Sequence, residues 1–271
     1  MKDVMDFVLQ DMAEGKDLSS EILNVREKLE NLKHTYGAAR PFVFAKKDEL
    51  EDLYASGQIT KRTTPIGTIE FVSEFLRVVF KMTYPAPLEI PEALRLPHLL
   101  LRDYDIVPYD KIPKVGRYFV KNVSTPKAFC FCGDMEAMFK EKENFLDKSA
   151  LYQVSSILNL QAEYRVFVSR DKVRSIQFYD GDPLIMPTQA EIKKIREAVL
   201  RFSLISDRPK AYTIDVGIVK TDNEVGRGLV LIECHPFSSV GTYGFDGPFM
   251  LMVYQDGFEW LVRNGREETK K

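Results

Sequence analysis

Two stretches decide the fold of this chain: Ala-Tyr-Thr-Ile-Asp-Val-Gly-Ile-Val at 211–219 and Leu-Val-Leu-Ile-Glu-Cys-His-Pro-Phe at 229–237. They contain apolar runs of strand length, 212–219 and 229–234, which a polar, glycine-containing segment connects. This pattern predicts a β-hairpin with a long loop at 220–228. Each run holds one acidic residue among apolar neighbours, Asp215 in the first and Glu233 in the second.

These two carboxylates have two explanations. A carboxylate in a half-buried strand is costly unless another group satisfies it, and two carboxylates on neighbouring strands repel each other. A divalent cation bound between them would turn this repulsion into attraction. Alternatively, both side chains point to the solvent-facing side of the sheet, where neither needs a ligand.

The composition is that of an ordinary globular protein. The chain has 271 residues, of which 45% are hydrophobic and 29% are charged, so it can form one large domain or two smaller ones. A net charge of −2 does not indicate nucleic-acid binding, and no apolar run reaches the ~18 residues of a membrane span. We therefore expect a cytoplasmic protein. Its three cysteines are predicted to be buried, inert thiols.

The predicted elements divide the chain into two regions. Residues 1–35 are predicted to form one or two amphipathic helices, and a proline-rich segment at 84–97 indicates a long irregular connection. The first region, 1–112, combines this helical segment with a first α/β lobe, and the second region is 113–271. The predicted strands lie at 41–45, 117–121, 127–131, 151–155, 161–169, 172–179, 212–219 and 229–234, and the predicted helices at 47–56, 69–80, 136–148, 189–202 and 249–262.

Two pairs of charged residues lie on the predicted strands of the second region. Lys121 ends one strand and Lys127 opens the next, so a hairpin would hold two ammonium groups near one another, where a triphosphate would relieve their repulsion. Lysines that border a turn are also common as solvated residues. Glu163 and Arg165 share one face of their strand by the two-residue period, either as part of a site or as a structural pair.

The order of these motifs resembles the ATP-grasp superfamily, and more narrowly its phage and bacterial clade defined by one arginine and two lysines. The resemblance covers about residues 60–260 and includes Pro-Ile-Gly-Thr-Ile-Glu-Phe at 65–71, Glu-x-Arg-Val-Phe-Val at 163–168 and Ile-Asp-Val-Gly at 214–217. It implies an α+β fold in which two α+β lobes hold ATP between antiparallel sheets. The helical N-terminal segment would precede these lobes. If a phage encodes the protein, the expected cytoplasm is that of a bacterial host cell.

The resemblance also implies a role for each site residue. Lys121 and Lys127 would contact the α- and β-phosphates of ATP, and Arg165 would lie by the γ-phosphate with Glu163 beside it in the nucleotide site. Arg165 and Lys127 would be the catalytic residues. The segment 151–156 would be a hinge that hydrogen-bonds adenine, and Asp215 and Glu233 would bind Mg²⁺. The hinge residues implied to bind the base are Gln153, Val154 and Ser155.

His235 departs from the family pattern, which has asparagine two residues after the second carboxylate. Imidazole nitrogen suits Mn²⁺ or Zn²⁺ better than Mg²⁺. His235 therefore either faces a substrate, or binds a softer metal ion, or leaves a second metal ion less tightly bound; a lone histidine beside a proline is also often no ligand at all. In the loop after it, Ser238 is the best candidate for contact with a substrate.

The implied function is ATP-dependent ligation of a small carboxylate to an amine through an acylphosphate, with release of ADP and phosphate. The chain has no Walker-type, kinase or serine-elbow motif that would compete for this chemistry. The alternative is an ATP-binding interaction or regulatory module that has lost ligase activity, which the histidine at 235 motivates. A weaker third possibility is a phosphotransferase that stops after phosphorylation. No motif identifies the two substrates or an oligomeric state.

Overall fold

The computed structural model of the protein describes residues 4–12, 19–36, 40–220, 226–246 and 249–267. Most of the loop predicted at 220–228 lies outside these residues. The strands are β1 (Phe7–Gln10), β2 (Phe42–Ala45), β3 (Thr64–Ile66), β4 (Met82–Thr83), β5 (Tyr104–Pro108), β6 (Arg117–Asn122), β7 (Cys130–Asp134), β8 (Leu151–Ser155), β9 (Leu160–Ser169), β10 (Lys172–Gly181), β11 (Ala211–Lys220), β12 (Arg227–Pro236) and β13 (Arg266–Glu267). The α-helices are α1 (Ser19–Tyr36), α2 (Leu50–Ala55), α3 (Ile69–Phe75), α4 (Pro97–Leu100), α5 (Met135–Lys142), α6 (Gln189–Ser203) and α7 (Met250–Asn264).

The chain forms two compact units, and together they have the predicted α+β character. The first unit comprises Met1–Pro85, Arg208–Tyr212 and Pro236–Lys271, and the second comprises Ala86–Asp207 and Thr213–His235. The functional division at residue 112 stays a prediction. Within the described residues, no helix is long and apolar enough to span a membrane.

The first unit contains a parallel three-stranded sheet of order β2-β1-β3. Its central strand corrects the prediction that residues 1–35 are helical throughout. Phe7, Val8 and Leu9 are all fully buried, so this short apolar run lacks the polar–apolar alternation by which a strand is recognised. The helical prediction is confirmed for α1, which follows it.

The second unit contains two four-stranded sheets. The first sheet has the order β5-β8-β6-β7, and β6 is antiparallel to both of its neighbours. One of its faces packs on α5 through an apolar cluster, and the opposite face carries polar residues of β6 and β8. The cluster consists of Ile112, Val120, Phe129, Met135, Met138, Leu146, Ala150, Tyr152 and Val154.

The hairpin of β6 and β7 differs from its prediction at the second lysine. Lys127 lies in the turn rather than in a strand, with φ at +56°, and β7 begins only at Cys130. The turn starts where the Asn122 side chain accepts hydrogen bonds from the amides of Ser124 and Thr125, which fixes a loop conformation before the strand resumes.

Two further predictions about this region are wrong. The helix predicted at 136–148 is shorter, since α5 ends at Lys142, where φ of −127° departs from helical geometry. The cysteines are not all buried: Cys130 and Cys132 are exposed because β7 is an edge strand, whereas Cys234 is buried as predicted.

The second sheet of this unit has the order β10-β9-β11-β12, which confirms the strands predicted at 212–219 and 229–234. Helix α6 is joined to it through an ion pair. Glu191 accepts hydrogen bonds from the guanidinium of Arg227 on β12, at 2.9 and 3.0 Å, and from the amide of Thr188 in a capping box. Burial would raise the pKa of Glu191, but these hydrogen bonds hold it below its usual range.

We expect Glu191→Gln to lower the free energy of unfolding by about 2 kcal/mol at pH 7, because the amide keeps the cap but loses the charge-assisted bonds to Arg227. Since the folded-state pKa is lowered, this stabilisation is complete above the unfolded pKa of about 4.3 and is lost as the pH falls through the folded value. Urea unfolding of both proteins from pH 7 to pH 3 measures it. A difference that stayed constant across this range, or that persisted in an Arg227→Met background, would contradict the assignment.

Candidate functional site

A buried ion pair lies in the middle of the second sheet. Asp215 on β11 is fully buried and receives two hydrogen bonds from Arg165 on the neighbouring strand β9: Nε donates to Oδ1 at 2.8 Å and Nη2 donates to Oδ2 at 2.7 Å. The solvent-facing alternative is therefore wrong for Asp215. This bidentate geometry is the arrangement in which a guanidinium and a carboxylate hold each other most firmly.

Glu233 on β12 connects this pair to the first sheet of the unit. Its carboxylate forms an ion pair with the Lys121 ammonium of β6, and its Oε1 lies 2.8 Å from Nε2 of His235. Burial would raise the pKa of Glu233, but the charges and hydrogen bonds of His235 and Lys121 hold it well below its usual range. Burial likewise opposes the charge on Lys121, yet Glu233 and Glu89 raise the pKa of that ammonium, so both groups are charged at neutral pH.

Asp215, Glu233 and His235 form a potential metal-binding group. Their ligand atoms lie within 4.8 Å of one another, and Nε2 of His235 is 3.8 Å from Oδ2 of Asp215. Two carboxylates and one imidazole are donors that suit a divalent ion such as Mn²⁺ or Mg²⁺, with the nitrogen favouring the softer of the two. The donor set therefore fits a divalent metal ion.

A cavity borders this cluster on the polar face of the first sheet. Lys121 and Gln153 are cross-strand partners there, as are Phe119 and Ser155, and all four line the cavity. Three residues of the predicted hinge thus line the cavity: Gln153, Ser155 and Ser156. Val154 instead points into the apolar cluster on the opposite face.

Arg102 forms one wall of the cavity, and the sequence analysis missed it. Its guanidinium donates to the carbonyl oxygens of Leu231 and Ile232, at 2.6 and 3.2 Å, directly before Glu233 on β12. Burial lowers the pKa of Arg102 to about 10. The surrounding Leu-Leu-Leu-Arg sequence at 99–102 carries no motif, so only the fold reveals this contact.

Tyr179 is a second residue that the sequence analysis did not single out. Its hydroxyl donates to Oε2 of Glu163 at 2.5 Å, and its ring lies below the guanidinium of Arg165, with 5.5 Å from Cζ to the ring centroid. Glu163 and Arg165 therefore share one face of β9, as the two-residue period predicted. Burial raises the pKa of Tyr179, and the charges of Asp215 and Glu163 raise it further, so its hydroxyl is a donor.

Two further residues were predicted for the site, Lys127 and Ser238. Lys127 is exposed in the turn between β6 and β7. Ser238 belongs to the first unit, where it is buried and hydrogen-bonded to Tyr84. Its contact with a substrate stays a prediction.

Comparison with known proteins gives a family and a fold. A family model described as "ATP-grasp domain, R2K clade family 2" matches residues 102–251. D-alanine–D-alanine ligase from Bacillus anthracis superposes with a TM-score of 0.54 at 12% identity, over 97% of each chain. N5-carboxyaminoimidazole synthetase from Staphylococcus aureus, complexed with ADP, gives a TM-score of 0.48 at 14% identity, over 98% of this chain and 79% of that chain. No curated protein sequence matches the chain.

The family assignment rests on the sequence match, and the superposition with a TM-score above 0.5 agrees with it in fold. The matched segment contains β5 to β12 and hence every residue of the ionic cluster, which consists of Lys121, Arg165, Asp215, Glu233 and His235. Because the match extends over more than half of its length, the chain belongs to family 2 of the R2K clade of ATP-grasp domains.

Proposed function

We propose that this protein is an ATP-dependent ligase that joins a small carboxylate to an amine through an acylphosphate. One observation carries the proposal: two buried or half-buried cations, Arg165 and Lys121, lie against a metal-capable group at the edge of a cavity. Cations beside a divalent metal site suit a triphosphate, since they neutralise its charge. Membership of an ATP-grasp family supports ATP as that triphosphate.

We assign the nucleotide to the cavity and its border. Gln153 and Ser155, with Val154 between them, would hold adenine, because all three belong to β8, whose Gln153 and Ser155 side chains line the cavity. Lys121 and Lys127 would contact the α- and β-phosphates. Arg165 would lie by the γ-phosphate, with Glu163 beside it.

Asp215, Glu233 and His235 would hold the divalent metal ion, Mg²⁺ or Mn²⁺. When bound, such an ion supplies charge neutralisation at the phosphate oxygens. The protein contributes fixed carboxylates for it, since Arg165 orients Asp215 and Lys121 orients Glu233.

The reaction then needs little acid or base chemistry from the protein. A carboxylate oxygen of the first substrate attacks the γ-phosphorus, the bond from that phosphorus to the bridging oxygen breaks, and ADP leaves. The amine of the second substrate then attacks the acyl carbon, inorganic phosphate leaves, and the nitrogen loses a proton as the amide forms. Arg165 and Lys127 are the residues to which we assign stabilisation of the transferring phosphoryl group.

Phosphate release tests this proposal. The protein is incubated with ATP, Mg²⁺ or Mn²⁺ and pools of amino acids and short peptides, and ADP and phosphate are measured. We expect release that depends on both a carboxylate and an amine, with an amide product in the mass spectrum. A phosphorylated product without an amide would instead indicate a phosphotransferase, and ATP binding without turnover in any pool would favour the interaction or regulatory module that the histidine at 235 suggests.

The identity of the third metal ligand gives a separate prediction. We expect His235→Asn to shift the ratio of Mg²⁺ to Mn²⁺ affinity about tenfold towards Mg²⁺, because a carbonyl oxygen replaces a nitrogen donor. Calorimetric titration of each ion in the presence of a non-hydrolysable ATP analogue measures the ratio. His98→Asn is the matched control, since His98 pairs with Glu197 outside the cluster. An unchanged ratio in His235→Asn would show that this histidine does not bind the metal ion.

A further inference from the structure

The ladder between β9 and β10 is irregular at two residues of β10, Arg174 and Tyr179, and the second of these lies in the candidate site. Phe178 is paired with Tyr164 and the next pair joins Asp180 to Glu163, so β10 has one more residue than β9 at this point. A bulge of this kind bends the strand and turns a side chain in a new direction, and such bulges are common beside functional sites. In a regular ladder Tyr179 would stand directly opposite Glu163.

The Tyr179 side chain contacts two charged residues at once. Its hydroxyl donates to Glu163, and its ring lies below the guanidinium of Arg165. Residues two apart on a strand are about 7 Å apart, which long side chains of opposite charge can bridge. Tyr179 therefore occupies the place in which Glu163 and Arg165 would otherwise pair with each other.

As a result, Glu163 and Arg165 have different hydrogen-bond partners. Glu163 is held by the phenol hydroxyl, and Arg165 is left to make its bidentate bond with Asp215. The ring also attracts the guanidinium, since its centroid lies 5.5 Å from Cζ of Arg165, within the range of a cation–π contact. That contact persists when other groups compete for the oxygens of Asp215, because it does not involve the carboxylate.

We propose that Tyr179 is a positioning residue that aims Arg165 at the terminal phosphate of the nucleotide. The inference rests on the proposed function, which places Arg165 beside the γ-phosphate. The ring of Tyr179 does the positioning, and the hydroxyl keeps Glu163 away from the guanidinium. Neither group needs to touch the nucleotide.

The test compares the affinity for ATP with the affinity for ADP, because the two nucleotides differ only in the γ-phosphate. With Mg²⁺ present, titration calorimetry is performed on the wild type, Arg165→Met, Tyr179→Leu and Tyr179→Phe. We expect Tyr179→Leu to weaken ATP binding about tenfold and leave ADP binding unchanged, since it removes the stacking contact. Tyr179→Phe keeps the ring, so its loss should be smaller, about threefold. Equal losses for ATP and ADP would identify a merely structural role and overturn the proposal.

Two controls separate the possible failures. Phe178→Leu removes the neighbouring ring of the same strand, which packs edge-on against Tyr164, and should leave the ratio of the two affinities unchanged. If Arg165→Met loses the preference for ATP and Tyr179→Leu retains it, the role of Tyr179 is refuted and the proposed function stands. If the wild type has no such preference, the assignment of Arg165 to the γ-phosphate fails and the role of Tyr179 fails with it, whereas phosphate release still decides the ligase function. Tyr179→Met gives the same comparison if Tyr179→Leu does not fold.

Discussion

Asp215→Asn is expected to reduce ATP-dependent phosphate release about 1,000-fold, because it removes one negative charge from the proposed metal site, where charge stabilisation amounts to several kcal/mol. The same change should lower the free energy of unfolding by about 3 kcal/mol, since Arg165 keeps its buried positive charge while its partner becomes neutral. Phosphate release and urea unfolding measure the two effects on the same preparation.

A matched control separates lost stability from lost function. Asp256→Asn changes another buried aspartate, on α7 in the first unit and outside the ionic cluster. It should lower stability without a comparable loss of Mn²⁺ affinity, which titration in the presence of an ATP analogue measures. Asp215→Asn with unchanged affinities for ATP and Mn²⁺ would show that the carboxylate serves the fold alone, and would favour a regulatory module over a ligase.

The two stretches that contain Asp215 and Glu233 illustrate what a sequence can predict. An apolar run of strand length predicts a strand, and an acidic residue inside it needs a partner in any fold. Asp215 indeed has such a partner, Arg165, on the neighbouring strand. Periodicity does not predict this pairing, because it depends on the order of the strands in the sheet. Strand β11 has β9 on one side and β12 on the other, and the partner of Asp215 lies on β9.

Three residues were missed or misplaced by the sequence-based prediction, each for a physical reason. The guanidinium of Arg102 donates to two carbonyl groups more than 100 residues away, so no short spacing of residues in the sequence indicates this contact. Tyr179 depends on a bulge, which follows from the register of two strands and not from the residues of either one. Lys127 was assigned to a strand because its neighbours are apolar, whereas the Asn122 side chain holds the preceding backbone in a turn.

The ionic cluster also constrains how a nucleotide can bind. Each carboxylate of the proposed metal site already has a cationic partner, Arg165 for Asp215 and Lys121 for Glu233. A metal-bound triphosphate would therefore exchange partners with these pairs, the metal ion taking the carboxylates and the phosphates taking the cations. The net affinity is the difference between the new and the existing contacts, so removing one cation affects both sides of the exchange.

Lys121→Met is expected to weaken ATP binding about 30-fold, the equivalent of about 2 kcal/mol for a lost charge-assisted contact. The reason is twofold: the phosphates lose an ammonium, and Glu233 loses the cation that neutralises it and repels the incoming charge more strongly. Adenosine has no phosphate, so its affinity should change by less than about twofold. Titration of both compounds separates a phosphate contact from a general effect on the cavity that Lys121 lines.

Variants of two other lysines are compared with Lys121→Met. Lys114→Met removes an ammonium that lies over the Phe139 ring, away from the ionic cluster, and should leave both affinities unchanged. Lys127→Met tests the exposed lysine of the turn, for which we expect a loss of about tenfold for ATP alone. If Lys121→Met weakened adenosine and ATP equally, the ammonium would serve the shape of the cavity through Glu233. In that case the phosphates would have to be bound by Arg165 and Lys127 without it.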